Sequence, residues 1–598
     1  RRFGTLWIAR SAVDRAFDMQ GSFNDVVLAL APEASPGSVA AAVDAVLAPY
    51  GGTGAFGRED QPSARLVDGE LDQNRAMAIS LPFIFLGVAA FLLNVVLGRL
   101  IGTQRSQIAT LKALGFSSGE IGMHYARLAG VIVVAGSALG TLLGFALGRF
   151  EMASYQQYFR FHALGLRVES WIPLLAAAIA TGAGALGSVG AVWRVIALPA
   201  AEAMRPESPP LYRRGVVERL GLPRIIPGQA LLVARSIVRR PVRAALTATG
   251  IGAAVAVLVT GLFMFDAVGY FVDLSFHVAQ RGDVVAGFVR PSSPRAVAEL
   301  QSIPGVLRAE GTRGVPVLLR AGHREYRTGL AAFARDADLA RVVDFHGRPA
   351  VLPAEGVLLS DRLAARLGLS RGDSLEVDVL EGEEPALHTI VGATYSAANG
   401  LSAAIDVRAL DRLLGHAPAV SGASLTIEPG REEEVFADLA RRPGIVSALP
   451  VADVIETFNQ TIGGMVTTYV SMFAIFAGVI AVGVVYNAAR ITFAERAREL
   501  ASLRILGFTR REVTTLLLGE LSVELVVGIP LGWGMGTALS WGAARAFEND
   551  QISMPLVIST YTYAFATAVV LASAGASAIA VRRMLNRLDL VEVLKAGE

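Results

Sequence analysis

Few residues of this chain are placed to do chemistry, and their spacing argues against an enzyme. His323, Asp344, His346 and Ser360 supply the side chains a hydrolase would need. No Gly-x-Ser-x-Gly elbow accompanies them, and the one literal match, Gly115-Phe-Ser-Ser-Gly119, follows a helical pattern rather than a strand. Ser360 has a simpler use as the N-cap of a short helix that Gly368 ends. The seven histidines are scattered without His-Glu-x-x-His spacing, and cysteine is absent, so neither a metal centre, a disulfide nor a thiol nucleophile is expected. No Gly-x-x-x-x-Gly-Lys-Ser/Thr loop occurs, and the only lysines are Lys112 and Lys595. The chain is therefore expected to bind no cofactor of its own.

Two acidic residues are better placed. Glu520 and Glu524 sit one helical turn apart at the edge of an apolar run, and ionisable residues at membrane depth are functional candidates. A proton relay would use such a pair. Arg510 and Arg511 are near, however, and the first half of the chain has Leu128 at the position matching Glu520. These two glutamates read as membrane-edge polar residues with a structural role.

The strongest pattern is a repeat. Gln104-Arg-Ser-Gln-Ile-Ala-Thr-Leu-Lys-Ala-Leu-Gly-Phe116 aligns without a gap on Arg496-Ala-Arg-Glu-Leu-Ala-Ser-Leu-Arg-Ile-Leu-Gly-Phe508. Leu198–Arg205 likewise matches Leu588–Lys595, so the chain reads as a tandem duplication. Ile108, Leu111 and Leu114 fall at helical spacing on one face, as do Leu500, Leu503 and Leu506. Gly115 and Gly507 end the two helices where a positive φ is easy to place. Arg105, Lys112, Arg498, Glu499 and Arg504 would then face headgroups or a partner. Gln107 stands where the second copy has Glu499, so the two contacts need not be equal. An amphipathic helix lying on lipid would show the same pattern, and matched copies favour a shared docking task.

The elements that must hold these segments are membrane helices. The 598 residues are 53% hydrophobic and 18% charged, with a mean hydropathy of +0.49. Soluble chains carry about 25% charged residues. A net charge of +2 without a basic arm is too small to suggest a nucleic-acid partner, and none is expected. Seven runs are long enough to cross the hydrocarbon core: Met77–Gly98, Leu128–Leu147, Trp171–Trp193, Ala244–Phe265, Met465–Ala488, Leu521–Trp541 and Tyr563–Val581. Arginine crowds the stretch 194–243, which places it in the cytoplasm. Threading from there puts residues 99–127, 490–511 and the C-terminal tail on the same side.

The resulting organisation has residues 1–76 as the end of a first extracytoplasmic domain and 77–193 as a first three-span unit whose cytoplasmic helix covers about 104–115. A cytoplasmic linker (194–243), a span (244–265) and a larger extracytoplasmic domain (266–464) follow. A second three-span unit (465–581), with its helix at about 496–507, leads to a tail (582–598). The sequence opens at Arg1 with no initiator Met, and a further membrane helix ahead of it is expected. The insert is expected to be α+β, with a strand at Gly356–Leu359, the helix capped by Ser360, and a strand at Ser374–Leu380. Asn24–Leu30 and the helix-like Gly37–Leu47 resemble Ala423–Glu428 and Arg431–Leu439, which predicts a strand and a helix in each. Asn94 and Asn487, inside spans, are expected to find partners on neighbouring helices.

This arrangement, with Arg-x-x-Glu-Leu/Ile, x-x-Leu-Arg and x-Leu-Gly after a span and Gly-Val-Leu-Leu-Ser-Asp-Arg-Leu and Arg371-Gly-Asp373 in the insert, resembles the FtsX, MacB and LolC permeases in duplicated form. The resemblance implies a polytopic α-helical protein of the bacterial inner membrane with α+β periplasmic domains. It implies two separate ABC ATPase subunits, carrying ATP and Mg, docked on the helices at 104–115 and 496–507. It also implies an exporter or extractor that handles a lipid, lipoprotein, peptide or hydrophobic substrate in contact with membrane lipids, with a periplasmic adaptor or substrate protein as a further partner. The alternative is a non-transporting activator of a periplasmic enzyme such as a cell-wall hydrolase.

Overall fold

The computed structural model describes residues 8–16, 20–23, 25–50, 52, 54–158, 165–197, 228–239, 241–381, 386–398, 400–547 and 554–586. The matched segments at 198–205 and 588–595, most of the arginine-rich linker and the tail from 587 lie outside them.

Short helices α1 (Arg10–Ala16) and α2 (Pro36–Leu47) precede α3 (Pro62–Thr103), α4 (Arg105–Ala113), α5 (Ser118–Tyr158) and α6 (Trp171–Ala197). After the linker come α7 (Gly228–Arg239) and α8 (Pro241–Asp273). The insert contains β1 (Val284–Ser292), α9 (Arg295–Gln301), β2 (Val306–Ala321), β3 (Arg324–Phe333), β4 (Val357–Ser360), α10 (Asp361–Leu367), β5 (Ser374–Val379) and β6 (Leu387–Tyr395). It continues with β7 (Ala403–Asp406), α11 (Val407–Leu414), β8 (Val420–Ile427), α12 (Glu432–Arg441), β9 (Ile445–Pro450) and α13 (Val451–Phe458). The chain then returns through α14 (Gly464–Ile505), α15 (Arg510–Ala546) and α16 (Thr560–Asn586).

Among the described residues seven helices are long and apolar enough to span a membrane, one in each of the seven predicted runs. Several are far longer than predicted. At about 1.5 Å per residue, the 42 residues of α14 reach about 63 Å, roughly twice the hydrocarbon thickness. Helical hydrogen bonding continues past the apolar stretch, so the polar ends of α3, α5, α8, α14 and α15 stand outside the membrane as rigid extensions.

The centre of the bundle is α8, with 72% of its most apolar window buried. Ile251, Ala254, Val255, Leu258 and Val259 pack against α14, α15 and α16 through Ala481, Leu525, Ala566 and Val570. The first unit joins this core through Phe85, which stacks on Phe473 with ring centroids 6.2 Å apart. Asp266, near the outer end of α8, accepts a hydrogen bond from the backbone N–H of Ser559 at 2.8 Å, beside the start of α16.

The insert folds around two cores. Strands β2, β3, β7, β4, β6 and β5 pair in that order and close back on β2, a ring without free edges around Val317, Leu330, Leu359, Leu375 and Ile405. The first half of the 16-residue β2 instead pairs with β8, and the β2-β8-β1-β9 sheet is covered by α9 and α12 around Leu300, Leu425 and Leu439. One long strand thus belongs to both cores. Ser360 accepts from the N–H of Leu363 at 3.3 Å and Gly368 turns left-handed at φ +73°, the predicted helix start and stop.

The strand predicted at Asn24–Leu30 does not form. Asn24 lies outside the described residues and 25–30 are irregular and exposed, whereas the helix beside them is present as α2. The corresponding β8 is held between β1 and β2, and no strand counterpart of those two flanks residues 25–30 among the described residues. Alternating residues give a strand its faces, but only a neighbouring strand completes its hydrogen bonds.

Candidate functional site

The repeated segments form two corners at the ends of the membrane helices remote from the extracytoplasmic domain. In the first, Gly115 takes φ +95°, its N–H donates to the Lys112 carbonyl at 3.1 Å, and the N–H of Phe116 donates to the Leu111 carbonyl at 3.1 Å. Together these two bonds satisfy orphan carbonyls at the helix end, and the left-handed residue reverses the chain without strain because it is glycine. Gly507 takes φ +96° at the matching place.

Each reversal leads directly into a capping box. The Ser117 and Thr509 hydroxyls accept from the N–H groups of Glu120 and Glu512 at 3.2 and 3.3 Å, while those carboxylates accept from the N–H groups of Ser117 and Thr509 at 2.8 and 2.7 Å. The full repeated motif is therefore Leu-Gly-Phe-Ser/Thr-x-x-Glu. Sequence reasoning stopped at the Phe, although Ser/Thr-x-x-Glu ahead of an apolar run carries the signal.

The corners differ in how they leave the membrane. α14 runs unbroken to Ile505, whereas the first copy breaks at Gln104 and restarts as the separate helix α4. The Tyr125 hydroxyl donates to Gln104 Oε1 at 2.7 Å across that break. Lys112 Nζ donates to the Ile196 carbonyl at the end of α6, at 3.4 Å, so this amine points to its own protein.

The structure divides the predicted apolar face. Ile108 is 1% exposed, packed with Leu97, Ile101, Ile121 and Tyr125, and is therefore not on a docking surface. Successive residues three apart drift around the helix, so Ile108 faces inward while Leu111 is partly open and Leu114 is 71% exposed. Gln107 is exposed and Arg105 half-buried. In the second corner Leu506 is 76% exposed and Ile505 is exposed beside it. The side chains of Arg498, Glu499, Leu500, Leu503 and Arg504 lie outside the described residues, as does that of Asn487.

Glu520 and Glu524 are buried by the packing around α15, and the side chain of Arg511 is exposed. Around them α15 packs against α7, where a Cβ on Gly519 would stand 3.0 Å from Val233 Cγ2. Two of the hydrolase-like residues of the insert, Ser360 and Asp344, have local structural uses. Ser360 Oγ also accepts from the N–H of Ser402 at 3.1 Å, and Asp344 Oδ1 accepts from the N–H groups of His346 and Arg348 at 2.9 and 2.8 Å as a turn-forming carboxylate.

Two regions of the chain, 79–200 and 471–590, match the family model described as FtsX-like permease C-terminal. Among solved structures, the periplasmic region of MacB from Actinobacillus actinomycetemcomitans is similar at 8% identity over 31% of this chain and 96% of that one, with a TM-score of 0.22. The extracellular domain of the ABC-type transporter YknZ from Gram-positive bacteria is similar at 14% identity over 30% of this chain and 95% of that one, with a TM-score of 0.18. No curated protein matches the chain. Each matched region contains one Leu-Gly-Phe corner with the membrane helices on either side of it, and the chain thus carries an FtsX-like permease unit twice.

Proposed function

We propose that this permease carries the motion of two ABC ATPase subunits from its cytoplasmic corners to its extracytoplasmic domains, and that it serves export or extraction of a lipid, lipoprotein, peptide or hydrophobic substrate. The observation that carries the reading is the pair of matched corners, each holding an exposed leucine, Leu114 or Leu506, at the tip of a rigid helix outside the apolar span. Unbroken helices support the transmission. α14 connects its corner to the insert through a five-residue π turn at Asn459–Gly463, and α8 enters the insert through a similar turn at Leu274–Ala279. A displacement at one end of such a rod reaches the other with little lost to bending.

The N-terminal segment leans on the same insert. The Arg327 guanidinium lies over the Phe56 ring at 4.4 Å, and Arg65 Nη1 donates to the Arg327 carbonyl at 3.4 Å. Movement of α3 would therefore also reach β3.

The test is recovery of the ATPase with the detergent-solubilised permease. A leucine covered by a partner contributes about 2 kcal/mol, and an aspartate there adds the cost of an unpaired buried carboxylate. Leu114→Asp and Leu506→Asp should each weaken association about tenfold or more while the permease stays monodisperse, since both side chains are exposed in the permease alone. Undiminished recovery with both variants sinks the docking assignment and leaves an amphipathic lipid contact.

A further inference from the structure

On the insert side of the membrane the two units meet at two places that the repeat makes equivalent, and the chemistry of the two differs. In the register that sets Phe116 on Phe508, Tyr155 of α5 corresponds to Phe547 of α15, Glu151 to Ala543, and Met77 of α3 to Tyr469 of α14. One contact therefore sets α5 against α14, and the other sets α15 against α3.

The contact between α15 and α3 is apolar. Ala543 and Phe547 are buried with Phe263 and Ala267 of α8, and Met77 packs against them. The contact between α5 and α14 is polar. The Tyr155 hydroxyl donates to Glu70 Oε1 and accepts from Asn74 Nδ2 at 3.2 Å, both on α3. Tyr469 comes from the other unit and hydrogen-bonds to Tyr155 and to Glu151. Two hydroxyls and two carboxylates thus join three helices at one point. All five side chains are partly exposed, and Glu70, Asn74, Glu151 and Tyr155 stand beyond the apolar runs Met77–Gly98 and Leu128–Leu147.

The two contacts respond differently to separation. Drawing Met77 away from Phe547 exposes apolar surface to water at this level, a cost that grows with the area uncovered. Drawing Tyr469 away exchanges its hydrogen bonds for bonds to water, which leaves only a small net cost for each. The directional bonds also define one closed geometry, to which the helices return when the contact re-forms.

We propose that the contact between α5 and α14 is a latch that opens and closes at its outer end, and that the contact between α3 and α15 stays shut and serves as the hinge. The duplicated permease then opens on one side only, whereas two identical units would open on both. The proposal concerns which contact parts and is independent of ATPase docking.

The experiment measures distances by double electron-electron resonance on the permease in lipid nanodiscs. The chain has no cysteine, so nitroxide labels attach only where cysteines are introduced. Ala153→Cys and Thr467→Cys report across the latch, and the equivalent Arg545→Cys and Arg75→Cys report across the hinge; all four positions are exposed. The latch pair is expected to show a minor longer distance beside the main one. Tyr469→Phe should raise that minor population about fivefold, the effect of roughly one net hydrogen bond, and Tyr155→Phe should act in the same direction. The hinge pair should keep a single distance with and without either variant. A latch-pair distribution that neither variant changes, or a hinge pair that lengthens as much as the latch pair, would overturn the assignment.

Discussion

In the most apolar window of α15, 41% of residues are buried, against 6% for α5, although the two helices occupy equivalent places in a duplicated unit and begin with the same Thr/Ser-x-x-Glu cap. The difference lies in their neighbours. α15 has α8 laid along its glycines, Gly528, Gly532 and Gly536, and α7 against its N-terminal part, while the glycine face of α5, with Gly136, Gly140 and Gly144, opens onto a cavity. Two units can thus share local structure residue by residue and still differ in packing, because capping is decided within one turn and burial by what lies alongside.

Substitutions at the shared positions can break this comparison. The largest effect is expected at Gly532. A leucine there must displace Val255 and the backbone of α8, and should destabilise the second unit by about 3 kcal/mol or more, read as a lowered thermal midpoint in detergent. Gly534→Leu, two residues away, should be close to neutral; equal losses at both sites would show that close approach to α8 is not what Gly532 provides.

Next is Ile108→Ala, which removes a side chain buried among Leu97, Ile101 and Tyr125 and should cost about 2–4 kcal/mol. Leu114→Ala, on the exposed side of the same corner, should shift the midpoint little. A reversed order in the thermal melts would mean that the first corner is packed differently from this description.

The caps should give about 1 kcal/mol each, and nearly the same in both halves: Ser117→Ala and Thr509→Ala each remove a hydroxyl that accepts one N–H and donates to a carboxylate. Hydrogen exchange at the first turns of α5 and α15 would report this directly, and protection lost in one half only would break the equivalence of the corners. The smallest effect should be Tyr125→Phe, about 0.5–1 kcal/mol, because a single hydrogen bond across the Gln104 break is lost. It should appear in the first half alone, since the second corner has Arg496 and Leu517 at those places and no break in α14.

The sequence by itself determined the features whose physics is local. The seven apolar runs imposed spanning helices, the paired Leu-Gly-Phe segments imposed left-handed reversals at Gly115 and Gly507, and Ser360 and Gly368 marked both ends of α10. The Ser/Thr-x-x-Glu boxes carry a signal just as local, although the reading of the repeat stopped at the Phe before them. Tertiary structure decided what depends on neighbours distant in sequence. It turned Ile108 inward while leaving Leu114 and Leu506 exposed, buried Glu520 and Glu524 within α15, and left residues 25–30 without a strand to pair with. It also closed six strands, β2 among them, into a ring. The three glycines on α5 and α15 show the reason most directly: identical spacing specifies that a helix backbone can approach closely, but only the packed bundle determines where that backbone lies.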